Sequence, residues 1–452
     1  MIRTMSLSQI NSVLSGQHFG ADVNFAAVST DTRTLPEGAL YIALVGENFD
    51  GNEFVAKAFA EKACAAVVST ICKTNEPLLQ VEDTTQALGQ IARLNREASN
   101  AHFIAITGSQ GKTTVKEMCA AIMSVDRKVL VTRANFNNHI GVPLTLLELD
   151  ASHECAVIEL GASGLGEIAY TVSMVIPDVA VLTNAAATHI EGFGDLAGVV
   201  STKGEIIDGL SDDGVAVLNA DDPHFGTWVA RAKNRTVKSF SLLQQADYTA
   251  SKLVLSADGS CEFVLHTPVG DIDITLGLAG RHNVQNALAA TAACMASGAT
   301  LLHVQEGLAK VKAVPGRLQS LQGIAGSVLI DDSYNASPAS FHAAIDVLAQ
   351  REGRTVLIVG DMGELGELTA QAHAEVGEYA KQCGIDALWA TGQYSALSVD
   401  SFGESGQHFS QQIDLIDFAK KELREGDTAL VKGSRSAAMD RVVVQLKMGV
   451  SL

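Results

Sequence analysis

Seven consecutive residues carry the most chemistry in this chain: Gly108, Ser109, Gln110, Gly111, Lys112, Thr113 and Thr114. Glycines let backbone N–H groups close on an anion, and a lysine at the loop's end adds a point charge. A helix starting there aligns its positive end with the same target. A threonine hydroxyl just after the lysine is a natural ligand for Mg²⁺. The set is a phosphate cradle. The common pattern places its first glycine five residues before the second, where Ile106 stands here, so the loop is a shortened variant.

Three further polar residues follow apolar runs. Glu159 sits near the end of the run 156–160, His189 follows 179–182, and Lys203 lies in Ser201-Thr202-Lys203-Gly204-Glu205. A carboxylate at a strand end beside a phosphate loop can supply oxygen to a bridging metal. Each residue also has a plainer reading: a helix-capping carboxylate, a loop histidine, a solvated lysine. The amide-dense stretch 135–143 reads as a loop by itself. So do Ser29, Thr30, Asp31 and Arg33, and the segment 46–52, where Asp and Asn commonly satisfy their own backbone.

The elements that must position these residues follow from periodicity. Apolar runs at 103–107, 128–131, 156–160, 179–182 and 215–218 alternate with helical segments, which predicts a largely parallel sheet wrapped by helices. Ligands in such sheets lie beyond the carboxyl ends of the strands. Before this unit, 39–44 and 65–68 read as strands, with helices at 6–14 and 54–62 and a connecting helix over 84–99. Hairpins are expected over 248–278, turning at Asp258-Gly259 and Val269-Gly270, then an alanine-rich helix over 284–295. A second strand series, 327–331, 355–359, 387–390 and 428–431, follows Ala313-Val314-Pro315-Gly316. The expected architecture is α/β in three domains: a small α/β domain over 1–84, a central phosphate-loop domain over 85–313, and a Rossmann-like domain over 314–452.

A length of 452 residues suits about three domains, and 47% apolar with 18% charged residues suits packed cores. A net charge of −19 argues against nucleic acid as a partner, since such proteins need a basic face. No apolar run reaches the length of a membrane span, and residues 1–20 lack a secretory pattern. Seven scattered cysteines without a Cys-x-x-Cys pair suit reduced thiols and a cytoplasmic setting.

Taken in order, 107–114, 135–143, Glu159-Leu160-Gly161-Ala162, Asn184 with His189, Lys203-Gly204-Glu205, Gly280-Arg281-His282-Asn283 and Pro315-Gly316-Arg317 resemble the Mur ligase family. These are three-domain, ATP-dependent enzymes that form amide bonds in peptidoglycan precursors. The segments 331–338 and 360–366 are similar to the branch that adds D-alanyl-D-alanine to UDP-MurNAc-tripeptide, giving the pentapeptide, ADP and phosphate. The resemblance implies ATP and Mg²⁺ as cofactors. Lys112 and the 108–114 amides would hold the phosphates, and Thr113 or Thr114 with Glu159 one Mg²⁺. His189 would hold a second, with Lys203 carbamylated beside it. Asn283 and Asn286 would meet the adenine, Arg317 a phosphate, and Asp332 the ribose; Ser29, Thr30, Asp31 and Arg33 would bind the UDP-sugar. A monomer is expected. One departure is Asn52, where the family often has histidine after Asp-Gly. The rival branch, which adds diaminopimelate or lysine, carries Asp-Asn-Pro-Arg, absent here. A folylpolyglutamate-synthase-like ligase fits 332–338 less well. From another class, a phosphate-loop switch or a non-catalytic nucleotide binder would share only the loop.

Overall fold

A computed structural model describes residues 1–71, 74–188, 190–256 and 260–449. The central sheet has six strands, all parallel, in the order Val129–Val131, Cys155–Glu159, His102–Thr107, Val179–Leu182, Val215–Asn219, Thr236–Phe240. Their near-continuous apolar sequences are what a sheet covered on both faces requires. The chain winds to one side of His102–Thr107 and then to the other, so the crevice favoured by ligands opens at this strand's carboxyl end. Register matters here. Ile106 pairs with Glu159 and Thr107 with Leu182, which brings the phosphate loop, Glu159 and the 183–188 segment to one edge.

Behind the loop, the helix Lys112–Met123 packs in one core with the helix Arg281–Ala296. The second helix is buried on all sides, and its alanines permit that close approach. The expected hairpins form a three-stranded antiparallel sheet, Thr249–Leu255, Cys261–Thr267 and Gly270–Leu276. Of its two expected turns, the one at Asp258-Gly259 lies outside the described residues.

Toward the N-terminus, Gln17–Phe19, Leu78–Gln80, Ala65–Val68, Leu40–Ile42 and Val28–Ser29 form a five-stranded sheet in that order. The helix Leu7–Leu14 opens on a capping box between Ser6 and Gln9, which satisfies two of its free N–H groups. The helix Thr84–Glu97, capped by the Asp83 carboxylate, contributes Leu88 and Ile91 to a core shared with Met5 and Ile10 on one side and Leu146 and Ile168 on the other.

The last sheet has the order Gln319–Gln322, Val328–Asp332, Thr428–Lys432, Thr355–Gly360, Ala387–Thr391, Gly406–Phe409, parallel except for its first strand. Both faces are filled, one by Phe341, Ile345 and Leu388, the other by Trp389, Leu415 and Val442. No helix among the described residues is long and apolar enough to cross a membrane.

Candidate functional site

The loop begins where the buried strand His102–Thr107 ends. Gly108 (φ +145°) and Gly111 (φ +80°) hold the left-handed conformations that turn the chain back on itself, which side chains resist. A Cβ at Gly111 would also stand 2.5 Å from the Asn286 Oδ1. Gly111 caps Lys112–Met123 without offering a side-chain acceptor, so the helix's first N–H groups face a cavity of about 800 Å³. Open amides at a helix start favour an anion.

Segment 183–186 fixes the loop from below. The Ser109 N–H donates to the Asn184 carbonyl (3.0 Å) and the Gln110 N–H to the Asn184 side-chain oxygen (2.9 Å). The Thr183 hydroxyl donates to the Gln110 carbonyl (2.5 Å) and the Ala186 N–H to the Ser109 hydroxyl (2.9 Å). The Lys112 ammonium folds back to donate to the carbonyls of Gly108 (2.6 Å) and Ser109 (3.2 Å). Burial pulls its pKa down to about 8, Glu159 opposing and Arg317 assisting the shift.

Lys112, Thr113, Thr114, Glu159, Asn283, Asn286, Arg317 and Asp332 all line this one cavity, with Ser109, Gln110 and Gly111. Glu159 is buried. Its Oε1 accepts from the Asn137 amide (2.8 Å), and its Oε2, equally buried, has no partner. An orphaned carboxylate oxygen in a cavity also lined by Thr113 and Thr114 suits a hard divalent cation that keeps most of its ligands as water and phosphate oxygens. Among the described residues no cluster of three His, Cys, Asp or Glu exists that would cage a metal unaided. The residues therefore fit Mg²⁺ delivered with a nucleotide.

Lys203 is not a solvated lysine. On the helix Leu196–Asp208 it is 1% exposed, its ammonium donating to the Ala162 carbonyl (3.2 Å) and lying 5.2 Å from the Phe193 ring. Burial, then repulsion from Lys112, lowers its pKa to about 7 against the pull of Glu167 and Glu205. His189 lies outside the described residues; its neighbour Thr188 lines the cavity.

The opposite wall comes from the last sheet. Arg317 stacks on Tyr334 at 4.4 Å with its Nε buried and unpaired. Asp332 accepts from the buried Lys432 ammonium (2.6 Å) and from the Leu318 N–H (3.1 Å). Burial pushes the Asp332 carboxyl upward while Lys432 counters it. Asn283 donates to the Ala279 carbonyl (2.7 Å) and accepts from Asn286 (3.1 Å), leaving the pair at the cavity floor. The Gln110 amide bridges the two walls by donating to the Ser337 hydroxyl (3.0 Å).

Ser29, Thr30, Asp31 and Arg33 lie apart from this cavity. The Ser29 hydroxyl donates to the Asp31 carbonyl, and Arg33 forms a two-pronged ion pair with Asp31 (2.7–3.1 Å), 80% exposed at its arginine. Arg33 hydrogen bonding holds the Asp31 carboxyl low, at about 2. The turn chemistry is thus present. Asn52 is buried and ties its loop down: it donates to Asp50 (2.7 Å) and Ser69 (2.9 Å) and accepts from the N–H groups of Ser69 and Thr70. No role for Asn137, Lys432 or Tyr334 was legible in the sequence; each acts through a partner elsewhere in the chain.

Comparison with known proteins agrees with this geometry. Residues 106–294 match the Mur ligase middle domain and 316–435 the Mur ligase, glutamate ligase domain. The chain is 46% identical over 447 residues to the UDP-N-acetylmuramoyl-tripeptide--D-alanyl-D-alanine ligase of Escherichia coli K12, covering 98% of each. Among solved structures, MurF from Acinetobacter baumannii superposes with a TM-score of 0.93 at 34% identity, covering 98% of each chain. MurF from Thermotoga maritima, solved with ADP, gives 0.85 at 27% identity, covering 93% of this chain and 96% of that one.

Proposed function

The chain belongs to the Mur ligase family, and from that premise we propose that it joins D-alanyl-D-alanine to UDP-MurNAc-tripeptide. The nucleotide is ATP, the products UDP-MurNAc-pentapeptide, ADP and phosphate, and the pathway peptidoglycan precursor synthesis. The observation that carries this reading is the shared cavity: phosphate loop and Glu159 on one wall, Arg317 and the Asp332–Lys432 pair on the other.

A carboxylate resists attack by an amine because its oxygen is a poor leaving group. Transfer of the γ-phosphoryl group onto a tripeptide carboxylate oxygen breaks the bond to the β-phosphate bridging oxygen and leaves an acyl phosphate and ADP. The neutral amine of D-alanyl-D-alanine then bonds to the acyl carbon, loses its proton, and inorganic phosphate departs. Negative charge accumulates on phosphoryl oxygens in the first step, so preoriented donors supply most of the catalysis. The 111–114 amides and Lys112 face that charge, the Ser109 and Gln110 N–H groups being taken by Asn184. Arg317, its guanidinium carbon 4.4 Å from the Tyr334 ring centroid and its Nε without a partner, is assigned to a phosphate oxygen from the other wall. Asn283 and Asn286 offer amide edges to the base, and Asp332 a carboxylate to the ribose. Mg²⁺, when bound through Thr113 or Thr114 and Glu159, supplies charge neutralisation of the phosphates. His189 and carbamylated Lys203 are assigned to a second ion, and Ser29, Thr30, Asp31 and Arg33 to the UDP-sugar. We take the domain limits as 1–84, 85–313 and 314–452, the working unit as a monomer and the setting as cytoplasmic, where ATP and nucleotide-linked precursors are made.

The test is mass spectrometry of the product from ATP and UDP-MurNAc-tripeptide, carrying either diaminopimelate or lysine, with D-alanyl-D-alanine competing against single amino acids. The expected outcome is dipeptide addition with phosphate release that needs both acceptor and amine. Phosphate release without them would point to a switch.

A further inference from the structure

Glu159 and Lys112 pose a physical problem. A carboxylate and an ammonium share one buried cavity, where the effective dielectric is low and opposite charges attract strongly. Left free, they would collapse into an ion pair, and each would be lost to the nucleotide. Lys112 is held off by the Gly108 and Ser109 carbonyls. Glu159 is held off from the other side, by segment 132–138.

That segment is built for the task. The Lys116 ammonium, 2% exposed, donates to the Thr132 carbonyl (2.9 Å), and the Thr132 hydroxyl accepts from the Glu159 N–H (3.0 Å). The chain then folds under the strand end, where the Asn137 carbonyl accepts from the Gly161 N–H (2.8 Å). A Cβ at Gly161 would stand 2.8 Å from the Asn137 Cγ, so the glycine admits this approach. The Asn137 amide donates to Oε1 of Glu159 at 2.8 Å, while Oε2 is buried without a partner. The next residue does something different: the Asn138 side-chain oxygen accepts from the N–H groups of Ile140 (3.2 Å) and Gly141 (2.8 Å), where the helix Gly141–Leu147 begins.

We propose that Asn137 is the positioning residue for Glu159, fixing one carboxylate oxygen so that the other stays open to a nucleotide-bound Mg²⁺. An amide suits this role. It orients the carboxylate by a hydrogen bond yet carries no charge, so Glu159 keeps its full negative charge for the cation, as it would not beside Arg or Lys. This inference rests on the reading that the cavity holds Mg²⁺ and an adenine nucleotide.

The test measures linkage, not turnover. Calorimetry gives the ADP dissociation constant with Mg²⁺ and with a chelator, and their ratio reports how far the ion strengthens binding. Asn137→Leu is expected to shrink that ratio at least about fivefold, with chelator-only affinity within about twofold of wild type. In a Glu159→Gln background the same substitution should change the ratio by less than about twofold, because the carboxylate charge it positions for the cation is gone. Asn137→Ser, too short to reach Oε1, should repeat the result should the leucine variant fold poorly. Asn138→Ala, which loses the bonds to Ile140 and Gly141 and none to Glu159, should leave the ratio unchanged. Equal weakening with and without Mg²⁺, additivity with Glu159→Gln, or an equal effect of Asn138→Ala would overturn the proposal. Failure of the wild-type protein to bind ADP would instead overturn the reading of the cavity.

Discussion

Replacing Lys203 by methionine is expected to stabilise the ligand-free protein while disabling it. The lysine is 1% exposed, and its pKa falls from an ordinary 10.5 to about 7. The folded protein therefore binds fewer protons than the unfolded chain between those values, and stability rises with pH across that window. Each unit is worth about 1.4 kcal/mol. At about pH 7 the group costs the fold on the order of 4 kcal/mol, and at about pH 9 on the order of 2. Methionine fills similar space without the charge but strands the Ala162 carbonyl that Lys203 now serves, which returns about 1 kcal/mol. Lys203→Met should thus be more stable by about 3 kcal/mol at about pH 7 and by about 1 at about pH 9. Trp228 is a suitable reporter: it is fully buried, and its indole donates to the Val200 carbonyl of the same helix (3.3 Å). In a Trp389→Phe background, urea unfolding followed by its fluorescence, in bicarbonate-depleted buffer, gives both values. kcat/KM should fall at least about a hundredfold. A variant less stable than its parent near neutrality, or one with the parent's pH slope, would refute the reasoning.

Two further substitutions probe the ends of the proposed reaction path. Lys112→Ala removes a cation directed at the transferring phosphoryl group, and stabilisers of that kind are worth about 3–4 kcal/mol. kcat/KM measured by phosphate release should drop by at least about a hundredfold; near-normal turnover would remove the loop from the chemistry. Asn52→Ala cuts the ties between the 46–52 loop and Ser69 and Thr70, at a cost of about 2 kcal/mol in stability. It should raise KM for UDP-MurNAc-tripeptide several-fold and leave KM for ATP unchanged; an equal rise in both would show general loosening.

The core elements of this fold were legible because their signals are local. The strand Val179–Leu182 and the strand Ala65–Val68 occupy the residues that apolar runs marked, and Ser6 caps Leu7–Leu14 as its hydroxyl foretold. The edge strands Gln319–Gln322 and Gly406–Phe409 were missed, since half-exposed polar segments such as Gln-Ser-Leu-Gln carry no periodic apolar signal. The phosphate loop was legible because glycine spacing and lysine sit together in sequence. Thr183, whose hydroxyl holds the Gln110 carbonyl, and Lys432, paired with Asp332 across 100 residues, were not: their meaning depends on register between parallel strands. Lys203 shows the limit from the other side. Residue type favoured a solvated lysine, and only the family resemblance suggested otherwise; the packing of its helix decided for burial.

The Gln110–Ser337 hydrogen bond places the two walls of the cavity in direct contact. A pocket assembled this way belongs to neither wall alone, so its shape is set by how far apart the walls stand. A small molecule wedged at that seam would arrest the enzyme without mimicking nucleotide, sugar or peptide, by holding Arg317 too far from the phosphate loop to share one ligand with it.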